Sequence, residues 1–531
     1  MGIRNTVRRA WREVVCRGWA AVAMLACLQM SAQGAGAPQL PLAEALRLSL
    51  QRNPDIRVGT EQIGIARGQY LQQRGQFDTL LTSGANYNRS ITPYIDTSLP
   101  THAFGQTNLI STGYRAGVGQ LLRNGMRVSG TLDAASVDGT DVGQAPGPRQ
   151  NAVRLDLTLT VPLLNGRGRD TTTAAEEAAR LGVLASGYDL RDRVAQTLYN
   201  TMLAYWDYLA KVELERIAIS TAQRSADLRN STQRLVEAAE RPRADLVLLD
   251  ADYADKLVSL EAARLARVEA KTDLGRLMGL DMSAIDDLGD PADAFPRPLD
   301  APLAEVATLS TAAIERRPDM RSLALQMEAA RRGVRAAGNA RLPVLNLEMG
   351  MEYLKVSEGG TRYGFPDAPG RIQSAPTVFA RLNFQFPLQN HAADGVLLER
   401  SSLLTQLQVR QRDQAIGVAT GVERSVRALA SNVEQLRSAR DGLALYETAV
   451  RQEIVKQRNG ISTLIDVINT EARFVNARVN LLQVQLAYAK ALARLRYETG
   501  TLLPVPADDD GLDNLTVDVS SLAGASPLLA H

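Results

Sequence analysis

The chain contains an internal repeat that joins two kinds of sequence seldom found in one domain. The segment Asn53–Arg57 (NPDIR) recurs as Arg317–Arg321 (RPDMR), at an offset of 264 residues. In each copy, segments of alternating apolar and polar residues lead into helical sequence much longer than a globular domain requires. A duplicated unit of this kind predicts an elongated, quasi-symmetric molecule and favours a conduit over a catalyst.

The first 37 residues have the order of a secretory signal peptide. Five arginines precede the apolar stretch Trp19–Met30, and small residues follow it. That stretch is too short to persist as a membrane-spanning helix. We predict that residues 1–37 are removed on export. Because Cys27 follows Met24-Leu25-Ala26, which weakly resembles a lipoprotein processing site, it is either a lipidated N-terminus or an apolar leader residue.

The small positive charge of the whole chain belongs to this leader. The full sequence has a formal charge of +2, and removal of the leader's five arginines and one glutamate leaves −2. A nucleic-acid partner therefore loses its electrostatic support. Both cysteines, Cys16 and Cys27, also lie in the leader, so the mature chain needs neither disulfides nor thiolate metal sites.

Four segments alternate with the period of a β-strand. Two belong to the second copy, at 343–354 and 376–386, and two to the first, at Leu155–Val161 and, more weakly, Leu81–Arg89. One apolar and one polar face fit either a sheet on a soluble core or a barrel between lipid and water. Since four strands are too few to close a barrel, a barrel would have to be shared among subunits.

The first copy has additional sequence between its two strands. The offset between the copies falls from 264 residues before the strands to 225 at Pro162 and Pro387, which makes the first copy 39 residues longer. The insertion contains Asn124-Gly125, a hairpin-turn signal, between Gly117–Leu122 and Met126–Leu132. We therefore predict an extra hairpin there.

Very long helices follow the strands. About 72 residues separate Pro387 from the turn at Asn459-Gly460, which is roughly 108 Å of helix. Apolar residues recur along this segment at coiled-coil spacing, from Val422 through Leu429 and Leu436 to Val450. The helix from Asp466 to Gly500 is about half as long, so we expect a helix starting near Pro54 or Pro318 to stack on its end and match the height.

These marks resemble the TolC-type outer-membrane channel family over essentially all of the mature chain. The residues that carry the resemblance are Leu42–Leu46 before Asn53-Pro54, Leu342-Pro343, Val161–Leu164, Phe386–Leu388 and Gly460–Val467. The resemblance implies a mixed α and β membrane protein with an internal two-fold repeat (38–300 and 301–503) and a C-terminal tail, 504–531. It implies a homotrimer in which about four strands per subunit form a twelve-stranded barrel, continued by a coiled-coil periplasmic tunnel.

The resemblance also assigns the helix-turn-helix tips. Residues 239–245 align with 460–466, and in the family such tips close the tunnel entrance and dock onto a periplasmic adaptor. The residues implied for docking are the turn residues Gly460, Ser462, Ala239 and Pro242. Asp466 matches a position whose carboxylates ring the constriction, and Asp245 matches one that latches the closed state. A helix cap or helix-start carboxylate is the alternative interpretation of both aspartates.

Two positions depart from the family pattern at this constriction. A second acidic position of the ring is Asn469, and an arginine partner in the latch is Ser462. The ring would therefore carry about half the charge of two acidic positions. Arg241, Arg243 and Arg458 are the alternative partners for a latch.

By resemblance, the chain is predicted to be the exit channel of a tripartite efflux or type I secretion system in the outer membrane of a Gram-negative cell. An inner-membrane pump of the RND or ABC type and an adaptor would be its partners, besides outer-membrane lipid. The three histidines, His102, His391 and His531, are far apart, so no catalytic, cofactor or metal site is predicted. One alternative is an exported coiled-coil adhesin or structural protein, but such a protein does not need the four alternating strands. The other is an exported hydrolase, for which this sequence shows no convincing nucleophile–base pair.

Overall fold

The structure, a computed structural model, describes residues 39–96, 103–141, 149–298, 305–358 and 372–503. The predicted leader with Cys27 and the predicted tail 504–531 lie outside these residues. The helices are α1 (Leu42–Arg52), α2 (Pro54–Gly75), α3 (Arg169–Thr172), α4 (Ala174–Glu237), α5 (Arg243–Leu277), α6 (Met282–Asp286), α7 (Val306–Arg316), α8 (Pro318–Ala340), α9 (His391–Arg458) and α10 (Leu464–Glu498). The strands are β1 (Leu80–Asp96), β2 (Ala103–Leu121), β3 (Arg127–Asp141), β4 (Gln150–Pro162), β5 (Val344–Glu358) and β6 (Ile372–Gln385).

The six strands form one antiparallel sheet in the order β1-β2-β3-β4-β5-β6. The prediction of about four strands per chain is therefore wrong. The predicted extra hairpin exists, but its strands are much longer than the sequence indicated, and they pair on both sides within the sheet. As a result β1 and β4, expected to be the two strands of the first copy, are separated by two others.

The sheet has one apolar and one polar face. The register places Leu81, Val118 and Leu157 on the same face, and all three side chains are exposed. Other exposed apolar residues on this face are Tyr87, Ile91, Tyr114, Val128, Leu132, Leu155, Met349, Met351, Tyr353, Val378, Leu382 and Phe384. The opposite face is mostly polar. No dry core covers the apolar face within the described residues, which contradicts the soluble-sheet alternative for the isolated chain.

The helices form a layer four helices wide. Near the sheet, α2 and α8 pack on opposite sides of α4, and α9 packs against α8. Towards the other end, α5 and α10 take the places of α2 and α8 beside α4, and α9 packs against α10. The continuous helices α4 and α9 have 64 and 68 residues, about 96 and 102 Å. Within the described residues, none of the helices combines the length and apolar character needed to cross a bilayer.

Shorter helices meet end to end at two junctions beside these continuous helices. At the first junction, the side chain of Asn53 donates to the Leu277 carbonyl at 2.7 Å, which joins the start of α2 to the end of α5. At the second, Arg317 pairs with Glu498 at 3.0 Å, which joins the start of α8 to the end of α10. The predicted end-to-end stacking is confirmed.

Local sequence explains where these helices begin and end. Pro54 and Pro318 occupy the first helical position, where the missing N–H costs nothing. Gly279 and Gly500 follow the ends of α5 and α10 with φ of 68° and 66°, a left-handed conformation that glycine adopts without a steric penalty. The predicted apolar stripe of α9 is confirmed over the first half of the stripe, where Val422, Leu429 and Leu436 are buried.

Candidate functional site

The first helical tip connects α4 to α5 through a tight turn at 238–242. Ala239 has φ of 59°, and the N–H groups of Ala239 and Glu240 donate back to the carbonyls of Val236 and Leu235. Pro242 then stands at the N-cap of α5 in an extended conformation. A non-glycine residue in the left-handed region costs about 1 kcal/mol or more, so this turn holds some backbone strain.

Asp245 lies in the first turn of α5, where a carboxylate interacts favourably with the helix dipole. Its Oδ2 lies 3.3 Å from Nη1 of Arg241. Of the three arginines considered as latch partners, the structure therefore pairs Arg241 with Asp245. Both residues belong to the same tip, so this ion pair shapes the turn of one hairpin and does not join two hairpins.

The second tip connects α9 to α10. Gly460 adopts φ of 71°, and Thr463 and Asp466 form a reciprocal capping box at the start of α10. The Thr463 side chain and N–H both donate to the Asp466 carboxylate. These bonds, from the side chain first and then the backbone, hold the pKa of Asp466 below its ordinary value. Within one chain Asp466 is thus a helix cap, and its carboxylate remains exposed at the tip.

The other predicted tip residues surround this cap. Ser462 donates to Glu453 and, at 3.4 Å, to Asp466, so it links the last turns of α9 to the start of α10. Bonds from Ser462 and then Lys456 hold the pKa of Glu453 below its ordinary value. Asn469 is exposed three residues after Asp466, about one turn along the same face. The chain therefore presents one carboxylate and one amide on that face.

Two hairpins are tied together above their tips. Arg224 of α4 pairs with Glu471 of α10 at 2.6 Å, and its guanidinium lies 5.9 Å from the centre of the Phe474 ring. Arg478 of α10 donates to Ser220 of α4 at 3.2 Å. These contacts fix the spacing of α4 and α10 close to the predicted gate. No local sequence pattern predicts these contacts, because the partners are about 250 residues apart.

The junction of α8 and α10 contains a buried charge network. The Arg317 side chain is only 10% exposed and pairs with Asp319 at 2.7 Å and with Glu498 at 3.0 Å. Burial is the strongest single influence on Asp319 and acts to raise its pKa, but the bond and charge of Arg317, together with bonds from Gln414 and the Met320 N–H, keep that pKa below its ordinary value. Burial, reinforced by the charge of Asp319, raises the pKa of the neighbouring Asp192 to about 6. Arg317 and Asp319 belong to the repeated segment 317–321, but no sequence pattern connects them with Glu498 or Asp192.

The extra hairpin turn in the sheet is anchored to the helices. Arg123 pairs through two nitrogens with the buried Glu176 of α4, at 2.8 and 3.0 Å, and its guanidinium lies 4.9 Å from the Phe77 ring centre. The Gly168 N–H donates to the Asn124 carbonyl at 3.1 Å. Gly125, with φ of 93°, packs so closely that a Cβ would lie 2.2 Å from the Gly166 carbonyl oxygen. The turn is therefore held in one position by specific contacts with the helices.

Charged residues follow one another across the polar face of the sheet. Arg115 of β2 pairs with Asp133 of β3, and Arg154 of β4 lies 3.4 Å from Glu352 of β5. These four residues share one face because the register sets Arg115 opposite Asp133 and Asp133 opposite Arg154. The register also places on this face Arg127, Arg381, Asp96, Asp141, Asp156, Glu348 and Glu358. The face is thus hydrated and acidic overall, which suits the wall of an aqueous passage.

A sheet with one exposed apolar face, joined to paired helices of about 100 Å, defines the architecture of an outer-membrane channel with a helical extension. Residues 309–501 match the family model described as outer membrane efflux protein. No curated protein matches the chain with statistical significance.

Solved structures of outer-membrane channels have the same fold. OprN is 15% identical to this chain with a TM-score of 0.65, and the match covers 86% of this chain and 89% of OprN. Campylobacter jejuni CmeC is 15% identical with a TM-score of 0.65, covering 88% of this chain and 87% of CmeC. Vibrio cholerae VceC is 12% identical with a TM-score of 0.63, covering 86% of this chain and 96% of VceC.

The chain carries an outer membrane efflux protein domain, and its described residues have the fold of these outer-membrane channels. The resemblance to the TolC-type family drawn from the sequence is therefore confirmed.

Proposed function

We propose that this chain is the outer-membrane exit channel of a tripartite export complex, with its sheet in the membrane and its helices in the periplasm. The observation that carries the proposal is the apolar face, which is exposed across all six strands. Exposed apolar patches on soluble monomers rarely exceed a few hundred Å². Lipid on that face and water on the charged face would satisfy both sides of the sheet.

We further propose that the channel is a homotrimer without covalent chemistry. Within the part of the chain that the structure describes, the terminal strands β1 and β6 each pair on one side only, and a long unpaired strand edge invites another strand. Pairing β6 of one copy with β1 of the next would remove every edge. The repeat units 38–300 and 301–503 would each supply two of the four helix positions per subunit. Drug efflux and type I secretion remain equal alternatives, because the pump selects the substrate.

The proposal is tested on protein extracted from outer-membrane fractions. We expect a heat-modifiable trimer in gels and ion conduction in planar bilayers. An exported adhesin would give neither. A monodisperse, detergent-independent monomer without conductance would contradict the proposal.

The tips are proposed as the periplasmic gate and the adaptor-docking surface. Asp466 supports a gate because its carboxylate is exposed at the end of the α9–α10 hairpin, and Gly460, Ser462, Ala239 and Pro242 shape the turns available to an adaptor. In a trimer, three Asp466 carboxylates would attract cations at a narrow entrance. Asn469 would add polarity without charge, and Asp245 would stabilise the shape of the neighbouring tip.

Asp466→Ala is expected to lower the permeability of cations relative to anions in planar bilayers. Because the substitution also removes a helix cap, Thr463→Ala is the matched control, since it breaks the cap and keeps the carboxylate. Unchanged selectivity in Asp466→Ala, or an equal loss in Thr463→Ala, would contradict the assignment of Asp466 to the constriction.

A further inference from the structure

The hairpin β2–β3 occupies two full positions in the sheet. β2 begins at residue 103 and β3 ends at residue 141, a span of 39 residues that equals the extra length of the first copy. β2 pairs with β1 over the full length of β1, from Leu80 opposite Gly119 to Asp96 opposite Ala103. β3 pairs with β4 from Arg127 opposite Thr160 to Val137 opposite Gln150. Direct pairing of β1 with β4 would break both ladders.

The hairpin also shares the chemistry of the neighbouring strands. Tyr114 and Leu132 continue the exposed apolar face, whereas Arg115 and Asp133 continue the charged face. A hairpin lying over the wall as a surface loop would place one of these faces against the wrong surroundings. The contacts of Arg123 with Glu176 and Phe77 hold its turn at the level where the other strands meet the helices.

The width of the helical layer agrees with six strands. At a spacing of about 4.8 Å and a tilt of about 40°, six strands occupy roughly 38 Å of circumference, and four strands occupy roughly 25 Å. The four helix positions of this chain, at 8–10 Å each, occupy roughly 32–40 Å. At this tilt six strands continue the helical layer without a change of radius.

We infer that three copies of this chain close an eighteen-stranded barrel, in place of the twelve strands that the family resemblance implies. Each free sheet edge pairs with another copy of this chain, so that β6 of one chain lies beside β1 of the next. This pairing is antiparallel because each chain contributes an even number of strands. The backbone diameter is about 36 Å, against about 24 Å for twelve strands. The barrel backbone is thus about 1.5 times as wide. The inference rests on the proposed trimeric channel.

Electron microscopy of the full-length assembly in detergent tests this inference by counting strands. We expect eighteen strands in a three-fold symmetric particle, and twelve strands with about two-thirds of the diameter in a variant lacking residues 103–141. A trimer of the full chain with twelve strands would overturn the inference and leave the proposed channel intact. A twelve-stranded dimer would overturn both the strand number and the trimer, and a particle without a barrel would overturn the proposed function.

Disulfide formation provides a second test that does not need the deletion variant to fold. The pair Tyr87→Cys/Thr112→Cys lies directly across β1 and β2, and Leu157→Cys/Met351→Cys across β4 and β5 serves as the matched control. Both natural cysteines, Cys16 and Cys27, lie within residues 1–37, outside the described strands. We expect both pairs to oxidise to a similar extent in outer membranes, read as a 2 Da mass loss. Oxidation of the control pair alone would overturn the inference.

Discussion

The two halves of the chain build nearly equal helical frameworks and unequal amounts of sheet. The long helices have 64 and 68 residues, and each is followed by a helix of 35 residues. Among the described residues, the first half nevertheless supplies four strands and the second two. The sheet can thus gain a hairpin while the helical tips and junctions keep their positions. The helical layer and the sheet are therefore separately adjustable.

The two halves differ most in energy at their helix junctions. The equivalent position is the neutral Asn53 in the first junction and the charged Arg317 in the second. Arg317→Ala would leave Asp319 and Glu498 without their shared cation in a buried site. We expect a loss of about 3–5 kcal/mol in the free energy of unfolding. Asn53→Ala removes neutral hydrogen bonds and is expected to cost about 1–2 kcal/mol. Denaturant titration of the detergent-solubilised protein measures both, and equal losses would show that the junctions are energetically alike.

The next largest loss of stability is expected at the Asn124-Gly125 turn, which only the first half contains. Gly125→Ala combines a left-handed backbone with a Cβ placed against the Gly166 carbonyl, so we expect a loss of about 2–4 kcal/mol. Gly166→Ala is the matched control, since Gly166 has φ of 79° but open space around its Cα. It should cost about 1–2 kcal/mol. Thermal denaturation compares the two variants, and indistinguishable midpoints would mean that the turn is not tightly seated.

Asp192 introduces a pH dependence at the second junction. Because its folded pKa is raised to about 6, the folded state binds more protons than the unfolded state, and stability falls as pH rises through about 4 to 6. Asp192→Asn is therefore expected to stabilise the protein by about 1–2 kcal/mol at pH 7.5, after allowance for partial exposure. The gain should disappear near pH 4. Unfolding midpoints at both pH values test this, and a gain independent of pH would contradict it.

The smallest effect is expected at the tips, where Ala239 and Gly460 share a left-handed backbone. Ala239→Gly should stabilise its turn by up to about 1 kcal/mol, because relief of strain is partly offset by the entropy of glycine. Gly460→Ala should destabilise the other turn by about 1–2 kcal/mol. Hydrogen exchange of the tip amides measures both changes. Changes of the same sign at the two tips would contradict the comparison.

The helical framework could be predicted from the sequence because its signals are local. Prolines at the starts of α2 and α8 and glycines after α5 and α10 mark the boundaries directly. The capping interpretation of Asp466 was also available, since Thr463 precedes it by three residues. Length alone then indicated that the shorter helices stack.

The number of strands could not be predicted in the same way. β2 contains Gly105, Gly113, Gly117 and Gly119, so few of its positions display the alternation of apolar and polar residues. The Asn124-Gly125 turn revealed a hairpin but not how far it extends. The ion pair that holds the hairpin turn depends on tertiary contact, because Arg123 and Glu176 are 53 residues apart. The same is true of the pair at the second helix junction, since Arg317 and Glu498 are 181 residues apart.

The unbroken course of α4 has a mechanical consequence. Its first turns contact the sheet through Glu176, and its last turn enters the bend at Ala239, about 96 Å away. Its companions α2 and α5 meet at a joint beside Gly279. The chain thus places one continuous helix beside a second helix that is divided into two segments. Rotation of the lower segment, α5, about that joint would displace a tip while α4, anchored in the sheet, stays in place.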